Sequence, residues 1–495
     1  MKGSFYFCLL TVALSMPSGN VIQTQAEQPN VLMILVDDLK PALGCYGDSL
    51  AKTPHIDSLA ASGLRFSLAY CNQAVCAPSR NNLLLGSRST SLGIYGLGRH
   101  FRDFWQDAQT MPQFFRSHGW QAESFGKVLH TGHGNRDDAL SWSRPAYADK
   151  VVEYLLPQST QGGQLTREEA YFTNQQLDRI GSLPKGYAWE VAEVADEAYA
   201  DGRIARQVVS RLEAHQQGVD QPFFIMAGFM RPHLPFTPPK QYWDMHDPNA
   251  FNLASRQQVP EWAPPLAGKR GGEIVNYAPL NENNIKDVQI QRQLIHGYYA
   301  SISYADAQIG KVLQAMERLG LDKNTIVVLW GDHGWHLGDH GIWTKHTNYE
   351  QANRIPIIIR APGVTRPGTV SGQLAETVDL FPTLAELAGL PTPTGPQPID
   401  GLSLVSVLKS PSSRVRDHAY HCYPRGQRMG RAIRTDRYRL VEWKRPGDSQ
   451  EHALYELYDY FQDPEETHNL SSVRPEVVDR LKQLLESHPE ARLRR

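Results

Sequence analysis

Two apolar runs constrain this chain more than any other feature. Asn30 to Val36 (NVLMILV) stops abruptly at Asp37-Asp38, and Thr325 to Trp330 (TIVVLW) stops at Gly331-Asp332-His333-Gly334. A run that is apolar at successive positions has no solvent face, so it reads as a strand buried on both sides. Phe223 to Gly228 and Ile355 to Arg360 have the same character, and Gln121 to Phe125 leads as a strand into Gly126-Lys127. Helical patterns lie between them: Thr53 to Leu64, with Ile56, Leu59, Ala60 and Gly63 on one face, Met111 to His118, and Ser301 to Leu319. Apolar strands alternating with amphipathic helices predict an α/β fold, a large domain with a mainly parallel or mixed sheet flanked by helices. Such sheets bind ligands beyond the carboxyl ends of their strands. The acidic pairs stand at those ends.

The 495 residues suit two or three domains. Prolines 391, 393, 396 and 398 and the Ser-Pro-Ser-Ser run mark a boundary, dividing a catalytic domain over 27–410 from a C-terminal unit over 411–495. In the latter, Ala432 to Trp443 and Leu454 to Tyr460 read as antiparallel strands. Pro475 to Glu486 reads as a helix with Val477, Val478, Leu481 and Leu485 on one face, so the unit is a small α+β domain with an antiparallel sheet. The polar, Pro- and Gly-rich stretches 140–190 and 244–290 read as surface insertions that shape a pocket rim. Lys2, the apolar stretch Phe5 to Leu14 and Thr24-Gln25-Ala26 predict a signal peptide over 1–26 and a secreted or periplasmic protein. That stretch is short for a membrane span, and no other segment approaches one, so no membrane association is expected. A formal net charge of −2 gives no case for nucleic acid. Outside the leader the cysteines are Cys45, Cys71, Cys76 and Cys422, too few for a disulfide scaffold, although one Cys45–Cys71 bridge is compatible with the sequence.

Residues 76 to 80 read Cys-Ala-Pro-Ser-Arg. Pro78 suits a first helical turn, where its missing N–H costs nothing, and Asn81 to Leu85 can continue the helix. Cys76 then sits at a helix N-terminus, where free N–H groups and the dipole favour negative charge. Arg80, one turn on, can offer a planar fork to an oxyanion. The plain alternative is a buried thiol in a turn before a helix. A cysteine-type phosphatase would need its arginine at position 82, which is Asn82.

Asp37, Asp38, Asp332 and His333 are candidate metal ligands at two strand ends. Carboxylates suit a hard cation such as Ca²⁺ or Mg²⁺, while histidine leans towards a transition metal. Each pair, Asp37-Asp38 or Asp332-His333, taken alone is also ordinary turn or cap chemistry. His333, His336 and His340 raise a zinc alternative, but Gly331, Gly334, Gly338 and Gly341 deny them a regular helix to set ligand spacing. His336 and His340 are then loop or pocket-wall residues. Lys127, His130, His233 and Lys345 recur in Gly- or Pro-rich contexts, and as a set they can neutralise an anion and protonate a leaving alcohol.

The segments NVLMILVDDLKPALGCY (30–46), QAVCAPSR (73–80), GKVLHTG (126–132), RPHLPFTPP (231–239) and GDHGWHLGDHGIWTKHTN (331–348) together resemble the type I, formylglycine-dependent sulfatases of the alkaline phosphatase superfamily. Within them they are most similar to the iduronate-2-sulfatase branch, which shares His333 where many sulfatases have Asn. The resemblance implies an alkaline phosphatase-like fold and conversion of Cys76 to formylglycine (3-oxoalanine) by a formylglycine-generating enzyme. It implies one Ca²⁺ held by Asp37, Asp38, Asp332, His333 and modified Cys76. Arg80 and Lys127 would stabilise the aldehyde hydrate and the sulfate, His130 would help cleave the sulfo-enzyme, and His233 and Lys345 would contact sulfate. One hydroxyl of the hydrate would attack sulfur, the sugar alcohol would leave protonated, and the other hydroxyl would expel sulfate. The implied substrate is a sulfated oligo- or polysaccharide, carrying 2-O-sulfate on a uronic acid or related sugar, or else an algal polysaccharide of ulvan or carrageenan type. A phosphoesterase of the same superfamily and an inactive, calcium-stabilised glycan-binding protein are the competing functions.

Overall fold

The structure, a computed structural model, describes residues 1, 3–4, 28–148, 154–160, 185–218, 221–269 and 272–492. The expected signal peptide falls almost wholly outside the described residues, as does much of 140–190. Among the described residues no helix is long and apolar enough to cross a membrane.

Seven strands form the main sheet: β1 (Asn30–Val36), β2 (Leu64–Tyr70), β3 (Gln121–Gly126), β4 (Phe223–Phe229), β5 (Thr325–Gly331), β6 (Ile357–Arg360) and β7 (Thr369–Glu376). Their order is β3-β4-β1-β5-β6-β2-β7. The expected mixed sheet is therefore present. β3, β4, β1 and β5 run parallel, and β6 runs antiparallel to both β5 and β2. The strands are buried on both faces because alternate side chains enter separate cores. Leu32, Ile34 and Val36 pack with the helices Ala200–Gln216 and Val288–Arg318, through Ile204, Val208, Ile309 and Val312. Val31, Met33 and Leu35 pack on the other face with the helices Cys76–Leu85, Met111–Ser117 and Leu380–Leu387, through Leu84, Phe115 and Leu384.

Register decides what the sheet presents at its edge. Val36 pairs with Gly331 on one side and Phe229 on the other, and Gly126 pairs with Gly228. Four parallel strands thus end at one level, and the chain beyond each carries a candidate residue: Asp37, Asp332, His233 and Lys127. Gly126 has a φ of 72°, which favours glycine. A Cβ on Gly228 would stand 2.1 Å from the Lys127 carbonyl oxygen, so only glycine lets the chain cross there.

The predicted helix over 301–319 is part of a longer one, Val288–Arg318. Asp287 caps it by accepting from the backbone N–H of Gln289 and Ile290. The added turns carry buried Gln291, His296, Gly297 and Tyr298, whose mixed polarity hides the apolar period. Neither Cys45 nor Cys71 is bridged; both are free thiols.

A second sheet, entirely antiparallel in the order β11-β10-β9-β8, comprises β8 (Ala419–Arg425), β9 (Arg428–Arg434), β10 (Tyr438–Lys444) and β11 (Leu454–Asp459). β8 carries no clear alternation in the sequence. The helix Pro475–Glu486 covers this sheet as expected, with Val477, Val478, Leu481 and Leu485 packed on Tyr420, Ile433, Leu440 and Leu457. Buried polar contacts join it to the main domain: Arg434 pairs with Glu350, and Asn348 donates to the Gly430 carbonyl.

The crossing at Gly228 makes a direct prediction. Gly228→Ala must displace the Lys127 backbone and should cost about 1–3 kcal/mol, the usual range for overpacking. Urea unfolding measures this, and an unchanged midpoint would show that the crossing is not tight.

Candidate active site

The Cys76–Leu85 helix starts at Cys76, with Val75 still extended. β2 delivers the chain to this point through a buried segment in which the Cys71 N–H donates to the Asn353 carbonyl. Ser79 in the first turn donates its hydroxyl to the Asp332 carbonyl, tying the helix start to the end of β5. Cys76 is 3% exposed and faces a cavity of about 370 Å³. That volume suits one small polar ligand. Lys127, His130, His233 and Lys345 line the same cavity.

Beneath them the charged groups interlock. Lys127 pairs with Asp37 Oδ2. Lys345 Nζ lies 3.2 Å from Asp38 Oδ2 and 2.8 Å from Glu273 Oε2. His233 Nε2 lies 3.9 Å from Asp38 and 3.6 Å from Glu273. Its Nδ1 donates to the Leu234 carbonyl at 2.6 Å, which fixes a proton on that nitrogen. His333 Nε2 is 3.3 Å from the Cys76 sulfur and its Nδ1 is 3.2 Å from Asp38 Oδ1.

These neighbours set the protonation states. Burial works against the charged form of Asp37, but Lys127, His233 and Arg80 hold its carboxyl well below the usual range. Burial also opposes charge on Cys76, yet Lys345, Lys127 and His333 bring the thiol well below its ordinary value. Burial and Lys345 depress His233, but Asp38 and Asp37 outweigh them and raise it to about 9. His130 is lowered by burial and by Lys127, so its ring is neutral.

Arg80 differs from expectation. Rather than facing the cavity, it is fully buried, and its fork is filled by protein carboxylates. Nε and Nη2 donate to Asp332 Oδ2 at 3.1 and 3.0 Å, Nη2 also donates to Asp37 Oδ1 at 3.2 Å, and Nη1 donates to the Lys127 carbonyl. From one turn inside the helix its side chain reaches the floor between the ends of β1 and β5.

Ligand atoms of Asp37, Cys76, Asp332 and His333 lie within 4.8 Å of one another, and Asp38, Cys76 and His233 form an overlapping group. The donor set fits a hard divalent cation. Asp38 Oδ1 is a buried acceptor with no hydrogen bond. Burial and the adjacent Asp37 push Asp332 up to about 8. The first leaves an acceptor open to a cation, and the second reflects a buried carboxyl beside a second carboxylate, where a cation would favour the ionised form. His336 and His340 belong to neither group among the described residues. Both are buried, His336 against Thr347 Oγ1 at 2.9 Å and His340 beside Glu466.

Sequence patterns missed Glu273, Lys185, Lys269 and Asn276 on the cavity wall. They sit in or beside the 140–190 and 244–290 stretches, where no periodicity or motif singles out one polar residue from another. His133 and His346 also line the cavity. They stand in or beside recognisable motifs, but only their position in the fold reveals a role.

A buried cysteine at a helix start, beyond the carboxyl ends of a mixed sheet and ringed by cations, is an arrangement suited to oxyanion esters. Solved structures share the fold. One, determined with its substrate D-glucosamine-2-N,6-O-disulfate, superposes with a TM-score of 0.71 at 22% identity, covering 93% of this chain and 97% of that one. Another, the phosphonate monoester hydrolase of Silicibacter pomeroyi, gives 0.70 at 22% identity, covering 93% and 95%. The sulfatase family profile matches residues 29–390, and a profile for the C-terminal part of N-sulphoglucosamine sulphohydrolase matches 338–491. Iduronate 2-sulfatase of Mus musculus is 33% identical over 429 residues, 79% of this chain and 74% of that protein. The chain belongs to the sulfatase family and is a sulfuric ester hydrolase.

The Arg80 network yields a stability prediction. Arg80→Ala strands Asp37 and Asp332 in the interior and should cost about 3–5 kcal/mol. Arg80→Lys should recover only part, because it restores charge without the fork. Denaturant unfolding of the two variants measures both, and equal midpoints for wild type and Arg80→Ala would refute the dependence.

Proposed function

We propose that the protein releases sulfate from sulfated carbohydrate, acting on 2-O-sulfate of a uronic acid or related sugar in an oligo- or polysaccharide. In this proposal a formylglycine-generating enzyme first converts Cys76 to formylglycine. The observation that carries the proposal is the convergence of Cys76, Lys127, His130, His233 and Lys345 on one cavity. The 33% identity to an iduronate 2-sulfatase supports the 2-O position. A fold shared with a protein solved with a sulfated glucosamine supports the sugar. The leader-like residues 1–26 support a secreted or periplasmic location.

The hydrate of formylglycine would supply an oxygen nucleophile for sulfur, and one Ca²⁺ would be held by Asp37, Asp38, Asp332, His333 and the modified residue and would supply Lewis-acid charge. The chain's own residues supply the rest. Lys127 and Lys345 draw the sulfate oxygens in. His233, protonated at neutral pH and oriented by Leu234, donates from Nε2 to the departing sugar oxygen. His130, kept neutral, accepts a proton at the side chain of residue 76. Arg80 holds Asp37 and Asp332 in place from below.

Selectivity follows from the pairing of these charges. A sulfate monoester carries one negative charge, whereas a phosphate monoester carries about two. Lys127 is paired with Asp37, and Lys345 with Asp38 and Glu273, so the lysines do not offer their full charge to the ester, and one Ca²⁺ would supply less neutralisation than a two-metal clamp. That balance suits the singly charged ester. On matched esters kcat/KM should favour sulfate by at least roughly a hundredfold, and Cys76→Ser should lose most of the activity. A preference for phosphate, with Cys76→Ser still active, would assign the protein to phosphoester chemistry instead.

Two further measurements bear on the proposal. Mass spectrometry of the Cys76 peptide from a competent host should show thiol replaced by aldehyde, and fully active protein with an intact thiol would refute the mechanism. Elemental analysis should find one Ca²⁺ per chain, lost together with activity in Asp332→Ala. Stoichiometric zinc, or full activity after exhaustive chelation, would contradict the metal assignment.

A further inference from the structure

We propose that Lys269, with His346, binds a second anionic substituent of the sulfated sugar and thereby sets substrate specificity. This rests on the sulfatase reading above. Lys269 is half-buried on the cavity wall and lines both this cavity and a larger adjoining cleft of about 1040 Å³. Unlike Lys127 and Lys345, it has no carboxylate of the described residues within ion-pair distance. Its neighbours make that more costly. Burial, Arg425 and Lys345 lower its pKa to about 8, against a partial offset from Glu273. A half-buried ammonium placed beside two other cations gains most from an incoming anion.

The hydrogen bonding leaves donors for one. Lys269 Nζ lies 2.8 Å from His346 Nδ1. An ammonium can only donate, so Nδ1 accepts and the ring proton is on Nε2. Two N–H groups remain on Lys269 and one on His346. The His346 loop is held from the second sheet by Arg425, which donates to the His346 carbonyl at 2.6 Å. Sulfate ester on the floor and a second anion at the wall are thus separate demands within about 370 Å³, a space suited to a single sugar residue. A carboxylate and a second sulfate present the same chemistry to these donors.

The test compares four esters: a 2-O-sulfated uronate glycoside, its carboxyl-reduced counterpart, the same neutral sugar bearing a second sulfate ester, and p-nitrophenyl sulfate. Lys269→Met should lower kcat/KM roughly tenfold to a hundredfold on a doubly anionic substrate, chiefly through KM. It should leave the neutral sugar sulfate and the aryl sulfate within about threefold of wild type. Lys269→Arg should recover part of the loss. Whether the uronate or the disulfated sugar shows the loss identifies the anion. Equal losses on all four esters would indicate a structural role and overturn the proposal, as would no loss on either doubly anionic sugar. Calorimetric binding of the three sugars to Cys76→Ala protein, with and without Lys269→Met, repeats the comparison without turnover. A wild-type protein silent on every ester would therefore refute the sulfatase reading alone, while binding would still decide the role of Lys269.

Discussion

The ends of β1 and β5 bring Asp37, Asp38 and Asp332 into one dry space, and the site depends on how their charge is balanced. Carboxylates this close repel one another, and burial removes the water that would screen them. Arg80, Lys127 and Lys345 each answer one or two of them from a different element: a helix, the crossover after β3, and a loop after β5. Asp332 is raised by burial and by Asp37, and Asp38 Oδ1, although close to His333, accepts no hydrogen bond. A divalent cation bound there would complete the balance, as the proposed Ca²⁺ does. The same network draws the thiol of Cys76 towards its ionised form.

Geometry of this kind needs a rigid frame. The parallel register of β3, β4, β1 and β5 aligns four strand ends, and both faces of the sheet are packed, so the ends cannot shift independently. The second sheet serves the same purpose from the other side. Asn348 donates to the Gly430 carbonyl, Arg439 donates to the Asn348 carbonyl, and Arg425 holds the His346 carbonyl, so the segment carrying Lys345 is anchored on β8, β9 and β10. Floor and wall are therefore built by different parts of the chain. The floor comes from strand ends, while the wall comes from loops fastened by a separate sheet.

Much of the frame was legible because burial on both faces demands unbroken apolar runs. β1 and β5, the helix start at Cys76 and the helix Pro475–Glu486 follow directly from pattern and from the position of proline. β6 was recognisable as a strand, but its antiparallel direction was not, since an apolar run looks the same from either end. The early turns of Val288–Arg318 were obscured by His296, Gly297 and Tyr298, which are buried by contacts specific to this fold. Gly297 lies against Phe236 and Trp243, a close approach that no periodicity announces.

The sequence by itself determined the chemical types at the strand ends and the class of reaction they serve. Motif residues are adjacent in the chain to the strands and the helix that place them, so local pattern suffices. Tertiary structure alone decided the rest. It turned Arg80 away from the cavity and onto Asp37 and Asp332, and it brought Glu273 to Lys345 and His233 from a loop with no motif of its own. It also left Lys269 on the wall without a carboxylate in ion-pair reach among the described residues. The physical reason is that pairing of buried charges depends on distances between segments remote in sequence. Such distances exist only once the sheet, its register and the loops above it have been set.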